Sequence, residues 1–350
     1  MEAVLEGVAE DDAPAAESTP GKALASVAST NLRSRTLGKS GLVVSELALG
    51  TWGLGGEAYG EVTTEDADAT ISRARELGVT LFDTADLYGA RGGDPHAERL
   101  EKRLGRLLDG DATALVCTKG GNDLEASPPR KRFDREFLRR SAQRSAERLR
   151  RPADLYLLHH PSEAALRRGE ATASLEELRH DGVVRHWGVA CADAGVARVA
   201  IAEGAEVIEL AYNLFAQDDL HELASELVEH KVGVIARSPL AYGLLCGVWP
   251  AGKTFAEGDH RRERWTAEEL TRRLAQVASL RPLVHDDIHT VRAVALRYVL
   301  SNLLVGSVAV GARSAAQIEQ NVRAIGKGPP YLPEADLARI PELLRVAGVT

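Results

Sequence analysis

The chain has 350 residues, of which 44% are hydrophobic and 27% charged, the balance of a soluble globular protein with a large core. Its net charge of −8, with no basic patch interleaved with aromatics, has the wrong sign for a nucleic-acid binder. Cys117, Cys191 and Cys246 have neither CxxC nor zinc-like spacing; this argues against a disulfide framework or metal site and fits a reducing cytoplasm.

In chain order, residues 1–30 hold Glu2, Glu6, Glu10, Asp11, Asp12 and Glu17 against Lys22, a balance of −5, with no aromatic residue and no apolar periodicity. A disordered acidic tail is expected over 1–31, with a short docking helix as the alternative, ahead of one folded domain over 32–350. The start of the chain lacks the basic and apolar pattern of a secretory signal. The longest apolar stretch, 232–250, is interrupted by Arg237, Pro239, Gly243 and Gly247 and does not read as a membrane span.

A β-hairpin is expected where 35–37 and 42–44 flank Gly38-Lys-Ser-Gly41. Eight short apolar or β-branched runs follow, at 46–51, 80–83, 114–118, 154–159, 186–190, 206–211, 233–238 and 307–310. Amphipathic helical patterns alternate with them at 64–77, 96–108, 135–149, 171–180, 194–202, 220–230 and 290–300, and a last one lies at 315–325. Eight strand-then-helix units predict an α/β fold, a (β/α)8 TIM barrel with an N-terminal hairpin. The alternative, an open dinucleotide-binding sheet, needs a GxGxxG turn after its first strand, and 48–56 is glycine-rich without that spacing. The stretch 247–287 after the seventh strand is too long for a simple connection and predicts an insertion over the active face, against the plainer reading of a surface helix hairpin.

In such a barrel the residues just past each strand's C-terminal end share one mouth. Asp83, Tyr88, Lys119, His159 and His160 then gather there with Thr51, Trp52, Glu209, Arg237, Ser238 and Arg313. A free phenol titrates near ~10, and a neighbouring ammonium lowers that value. Lys119 is placed to do this to Tyr88, Asp83 to keep Lys119 charged, and His159 to hydrogen-bond a substrate oxygen. Such a set protonates an oxygen as hydride adds to a carbonyl. Singly, each member reads equally well as a cap, a packed ring or a loop residue. Trp52, Tyr59, Trp187 and the 248–265 part of the insertion are candidates for a pocket wall, or for packing.

The sequence resembles the aldo-keto reductase superfamily from about 35 to 325. The matching pieces are Arg35-Thr-Leu-Gly38, Ser45-Glu-Leu-Ala-Leu-Gly-Thr51, Phe82-Asp-Thr-Ala-Asp-Leu-Tyr-Gly89, Thr118-Lys119 and Asp154-Leu-Tyr-Leu-Leu-His-His-Pro161. Tyr212-Asn213, Ser238-Pro-Leu240 with Gly243-Leu-Leu245, and Gly311-Ala-Arg-Ser314 leading to Asn321 complete them. The resemblance implies a catalytic tetrad of Asp83, Tyr88, Lys119 and His159, with Tyr88 as general acid. It implies a nicotinamide cofactor held by Gly50, Thr51, Trp52, Glu209, Arg237, Ser238, Leu240, Gly243, Leu245, Gly311, Arg313, Gln317 and Asn321. A small-molecule carbonyl substrate would meet Trp52, Tyr88, His159 and His160. Arg313 favours NADPH over NADH, because a guanidinium pairs well with a phosphate monoester.

Three departures surround the nicotinamide. Ala190-Cys191 replaces the family's Ser-Asn, Glu209 its Gln, and Arg237 its stacking aromatic. Glu209 and Arg237 are expected to pair across adjacent strand ends, Arg237 lying on the ring and disfavouring its oxidised form. The departures also leave open a second reading, a nicotinamide-binding redox sensor or regulatory subunit with little turnover. A metal-dependent hydrolase built on His159-His160 would need an HxH and carboxylate ligands that this sequence does not supply.

Overall fold

The structure, a computed structural model, describes residues 32–90 and 99–346. The expected tail over 1–31 and the first residues of the helix expected over 96–108 lie outside them. Strands β1 (Ser34–Thr36) and β2 (Val43–Ser45) form the predicted hairpin, Arg35 opposite Val44. The barrel then begins with β3 (Leu47–Gly50), α1 (Thr64–Glu76), β4 (Leu81–Asp83), α2 (Leu100–Leu107) and β5 (Leu115–Gly120). A second small hairpin, β6 (Asn122–Asp123) and β7 (Arg130–Lys131), precedes α3 (Arg135–Leu149) and β8 (Ala153–His159). Next come α4 (Glu163–Arg167), α5 (Glu170–His180), β9 (Val184–Ala190), α6 (Ala194–Ala202) and β10 (Val207–Ala211). Two short helices, α7 (Asp218–Glu222) and α8 (Ala224–Glu229), lead to β11 (Gly233–Arg237). The chain ends in α9 (Ala267–Ser279), α10 (Val291–Ser301), β12 (Val305–Gly311), α11 (Ala315–Ala324) and α12 (Glu334–Val346).

Strands β3, β4, β5, β8, β9, β10, β11 and β12 are parallel and close into a ring, β12 pairing β3. The fold is a (β/α)8 TIM barrel. Strand β8 is buried at every position, as expected of parallel strands covered on both faces. Leu81, Leu155, Leu157, Val207 and Ile235 fill the interior, while Trp187, Leu175 and Val294 belong to the layer between strands and helices. Side-chain caps fix where helices start: Thr63, Asp134, Asp193, Thr290 and Ser314 each accept from a backbone N–H three residues on.

The β1–β2 hairpin plugs the barrel at the N-terminal ends of its strands, since Leu37 and Val44 join the interior cluster fully buried. Gly38 makes this possible. Its φ is +51°, and a Cβ there would stand 2.2 Å from the Gly233 nitrogen. The predicted insertion is present between β11 and α10. It contains 3-10 turns at Ala241–Cys246 and His260–Glu263 and helix α9, which starts at a capping box of Thr266 and Glu269. No helix among the described residues is long and apolar enough to cross a membrane.

Candidate active site

Asp83, Lys119 and His159 lie at or next to the C-terminal ends of β4, β5 and β8, and Tyr88 follows β4 by five residues. Lys119 is fully buried, and its ammonium donates to Asp83 Oδ1 at 2.5 Å and to the Thr84 carbonyl at 3.1 Å. A second carboxylate, Glu209 Oε2, stands 3.1 Å away. Burial opposes the charge on Lys119, but Asp83 and Glu209 outweigh it and hold its pKa well above the ordinary value. Donor atoms of Asp83, Cys117 and Glu209 lie within 4.8 Å of one another, and the Lys119 ammonium supplies the cation beside them.

This corrects one expectation. Glu209 is paired with Lys119, not with Arg237, because the fully buried Lys119 ammonium stands 3.1 Å from its carboxylate and is the nearer cation. Arg237 instead donates to the Cys191 carbonyl at 3.2 Å. Burial first, and then Asp83, push the Glu209 carboxyl above its usual range.

Tyr88 faces the same cluster, with the Lys119 nitrogen 5.6 Å from its ring centre. Burial raises the phenol's pKa more than Lys119 lowers it, and Asp83 and Glu209 add to the rise. The expected net lowering is therefore reversed, chiefly by burial of the phenol, with the two carboxylates around Lys119 adding to the rise. His159 meets the Tyr88 ring edge-on at 6.1 Å. Burial and then Lys119, Lys131, His160 and Arg237 hold its imidazole neutral, well below its ordinary pKa. His160, beside it with a φ of +52°, is lowered to about 4, chiefly by burial and Arg237.

These groups open on a cleft of about 550 Å³. It is lined by Gly50, Trp52, Tyr88, His159, His160, Glu209, Arg237, Ser238, Leu240, Gly243, Gly311, Arg313, Gln317 and Asn321. Two predicted contacts do not reach it. Thr51 is buried and its hydroxyl donates to the Asp83 carbonyl at 2.9 Å, which holds β3 against β4. Leu245 points into the core, fully buried. Trp187 is also core, its indole N–H bonded to Glu176, whereas Tyr59 lines the cleft.

The loop after β11 turns on left-handed residues, Ser238, Ala241, Tyr242 and Gly243, and the Asn213 amide donates to the Ser238 carbonyl at 3.0 Å. The Ala241 and Gly243 N–H groups are taken up within the loop by the Ser238 and Leu240 carbonyls, at 3.0 and 2.9 Å. Around the same end, the Nε atoms of Arg237, Arg292 and Arg313 are buried without a hydrogen-bond partner among the described residues. A Cβ built on Gly311 would meet nothing within 4 Å. Open space and three unsatisfied guanidinium donors fit an anionic nucleotide. Sequence reasoning missed Arg292, which sits in the first turn of α10, and the pair Asn122 and Lys131 beside His159. Only the tertiary fold brings these to the mouth.

The sequence profile of the Aldo/keto reductase family matches residues 46–345. The chain belongs to this family. Among similar proteins, L-galactose dehydrogenase of Arabidopsis thaliana is 29% identical over 85% of this chain and 89% of its own length. The holo form of an aldo-keto reductase from Bacillus halodurans is 26% identical, with a TM-score of 0.73 over 89% of this chain and 96% of that one. A glycerol dehydrogenase from Gluconobacter oxydans, 24% identical, shares the fold with a TM-score of 0.77 over 90% and 96% of the two chains. Membership makes the protein an oxidoreductase, and aldo-keto reductases use nicotinamide cofactors.

Proposed function

We propose that the chain reduces an aldehyde or ketone to an alcohol with NADPH, and that Tyr88 supplies the proton. The observation that carries this reading is the placement of Tyr88 and His159 on one cleft, directly in front of the buried Asp83–Lys119 pair. When bound, a reduced nicotinamide supplies the hydride. The chain's own part is to hold the carbonyl oxygen against Tyr88, to donate the phenolic proton to it, and to balance the resulting phenolate with the Lys119 ammonium. His159 is neutral and hydrogen-bonds the same oxygen. Asp83 keeps Lys119 charged and in place.

Ser238, Leu240 and Gly243 would hold the pyrophosphate, and Gln317 and Asn321 the adenosine end. Arg313 and Arg292 support NADPH over NADH. Both line the cleft beside α11 with their Nε atoms unpaired among the described residues, Arg313 held through Nη2 by the Gly60 and Glu61 carbonyls and Arg292 through Nη1 by Gln320. The substrate end is walled by Trp52, Tyr59, Tyr242 and Trp249, faces that suit the C–H surface of a small sugar-like or ring-bearing carbonyl compound. The name of the L-galactose dehydrogenase relative points the same way.

The test is a titration with NADPH and NADH followed by turnover on a carbonyl panel. NADPH binding in preference to NADH, with turnover falling by about 10²- to 10⁴-fold in Tyr88→Phe, is the expected result. Binding without turnover on any carbonyl would instead favour the redox-sensor reading. Failure to bind either nucleotide would end the proposal.

A further inference from the structure

Behind His159 the β6–β7 hairpin forms a polar arrangement that the reaction above does not use. Gly121, with a φ of +105°, turns the chain out of β5 into this hairpin, whose register sets Asn122 opposite Lys131. The Asn122 amide nitrogen reaches Asp86 Oδ1 at 2.5 Å and His159 Nδ1 at 3.1 Å. The Asn122 carbonyl oxygen accepts from the Lys131 ammonium at 2.6 Å. Lys131 also donates to the His159 backbone carbonyl at 2.7 Å, so the hairpin is fastened to the end of β8. Asp86 is itself buried and held by the Ser141 hydroxyl at 3.4 Å.

The chemistry of these partners leaves one arrangement of hydrogens. An ammonium only donates, so the atom facing Lys131 is the amide oxygen of Asn122. The amide NH2 must then face Asp86 and His159, and each of its two hydrogens has one acceptor. A nitrogen that accepts a hydrogen bond carries no proton, so Nδ1 of neutral His159 is the bare nitrogen and the proton sits on Nε2. Asp86 strengthens this arrangement without being essential to it, since Lys131 alone forbids the flipped amide.

We propose that Asn122, oriented by Lys131 and Asp86, is a positioning residue that fixes His159 as its Nε2–H tautomer, so that the cleft-facing nitrogen donates to the substrate carbonyl oxygen. A third group that selects a tautomer is worth far more than its own hydrogen bond, because the wrong tautomer presents a lone pair to an oxygen becoming negative. The inference rests on the carbonyl-reductase reading for its consequence, but not for its structural content.

Two readouts separate these. The first needs no substrate: nitrogen NMR of the full-length protein labelled at histidine, with the His159 signals identified by their loss in His159→Ala. A protonated Nε2 and a bare, hydrogen-bonded Nδ1 are expected. In Asn122→Asp the new carboxylate remains ionised beside Lys131, Asp86 takes up the proton the pair must share, and His159 turns to the Nδ1–H form. In Asn122→Leu the Nδ1 signal shifts as its hydrogen bond is lost, which keeps the test available if the Asp variant does not fold. A proton on Nδ1 in the wild type, or signals unmoved in these variants, overturns the proposal. The second readout is kinetic. Asn122→Asp should lower kcat by about 10²-fold, the scale of one lost oxyanion donor, with nucleotide Kd unchanged; an unchanged kcat alongside a switched tautomer also overturns it. A protein that turned over no carbonyl would sink the reductase reading and leave the tautomer result standing.

Discussion

Lys119 is the residue on which the site's electrostatics turn, because one ammonium serves two buried carboxylates and one phenol. A carboxylate 3.1 Å from the lysine cancels part of the field that would otherwise stabilise the Tyr88 phenolate, and it also repels that phenolate directly. Replacing it with the neutral isostere removes both effects. Glu209→Gln should therefore lower the Tyr88 pKa. In the proposed reaction the sign follows for each direction: reduction would use the phenol, so its alkaline limb moves to lower pH, whereas alcohol oxidation would use the phenolate and gains at neutral pH. Profiles of kcat/KM against pH for both directions test this, and a limb that stays in place would show that Glu209 does not act on Tyr88. Truncating the lysine has a different cost. Lys119→Met leaves Asp83 and Glu209 buried without a cation, a loss of about 3–5 kcal/mol, so that variant should unfold at clearly lower urea concentration as well as lose activity.

At the scale of elements, the insertion after β11 closes on the loop after β3. The His260 backbone N–H donates to the Ala58 carbonyl at 3.0 Å. The His260 ring lies 4.7 Å from both Trp52 and Tyr59 and 5.4 Å from Tyr242. Arg313 ties down the far end of the same loop through the carbonyls of Gly60 and Glu61. In ring order β12 lies between β11 and β3, so this latch crosses the mouth above β12, between the Trp52 wall of the proposed substrate end and the proposed adenosine end at Arg313. His260→Ala should speed nucleotide release by about two- to tenfold, the equivalent of one aromatic contact, as read by stopped-flow fluorescence; an unchanged rate would mean that release does not pass the latch. The insertion was legible from its length, and the eight strands from their apolar runs. Helix α12 was not, because Pro341 inside it reads as a helix breaker. Nor was the break at Leu223 that splits the helix expected over 220–230 into α7 and α8. The gathering of Asp83, Tyr88, Lys119 and His159 was visible because strand ends are locatable in sequence and a barrel brings them together. Asn122, Lys131 and Arg292 were not, since each gains meaning from a partner on another unit of the barrel.

Across the whole molecule the two ends of the barrel divide the labour. The C-terminal face carries every group discussed for chemistry, and the N-terminal face is sealed by the β1–β2 hairpin, whose Leu37 and Val44 complete the interior. Conformational strain introduced at the sealed end should therefore be felt as stability and not as catalysis. Gly38 offers the cleanest place to introduce it, because the backbone there is left-handed and Gly233 and Lys231 press against the position a Cβ would take, the Lys231 carbonyl oxygen at 2.4 Å. In Gly38→Ala either the hairpin withdraws from the barrel floor or the start of β11 moves, and a left-handed non-glycine residue alone costs about 1–3 kcal/mol. The expected outcome is a lowered Tm with kcat/KM unchanged at temperatures well below it. Activity falling in parallel with stability at low temperature would show that the plug is coupled through β11 to Arg237 at that strand's other end, and that the two faces are not independent.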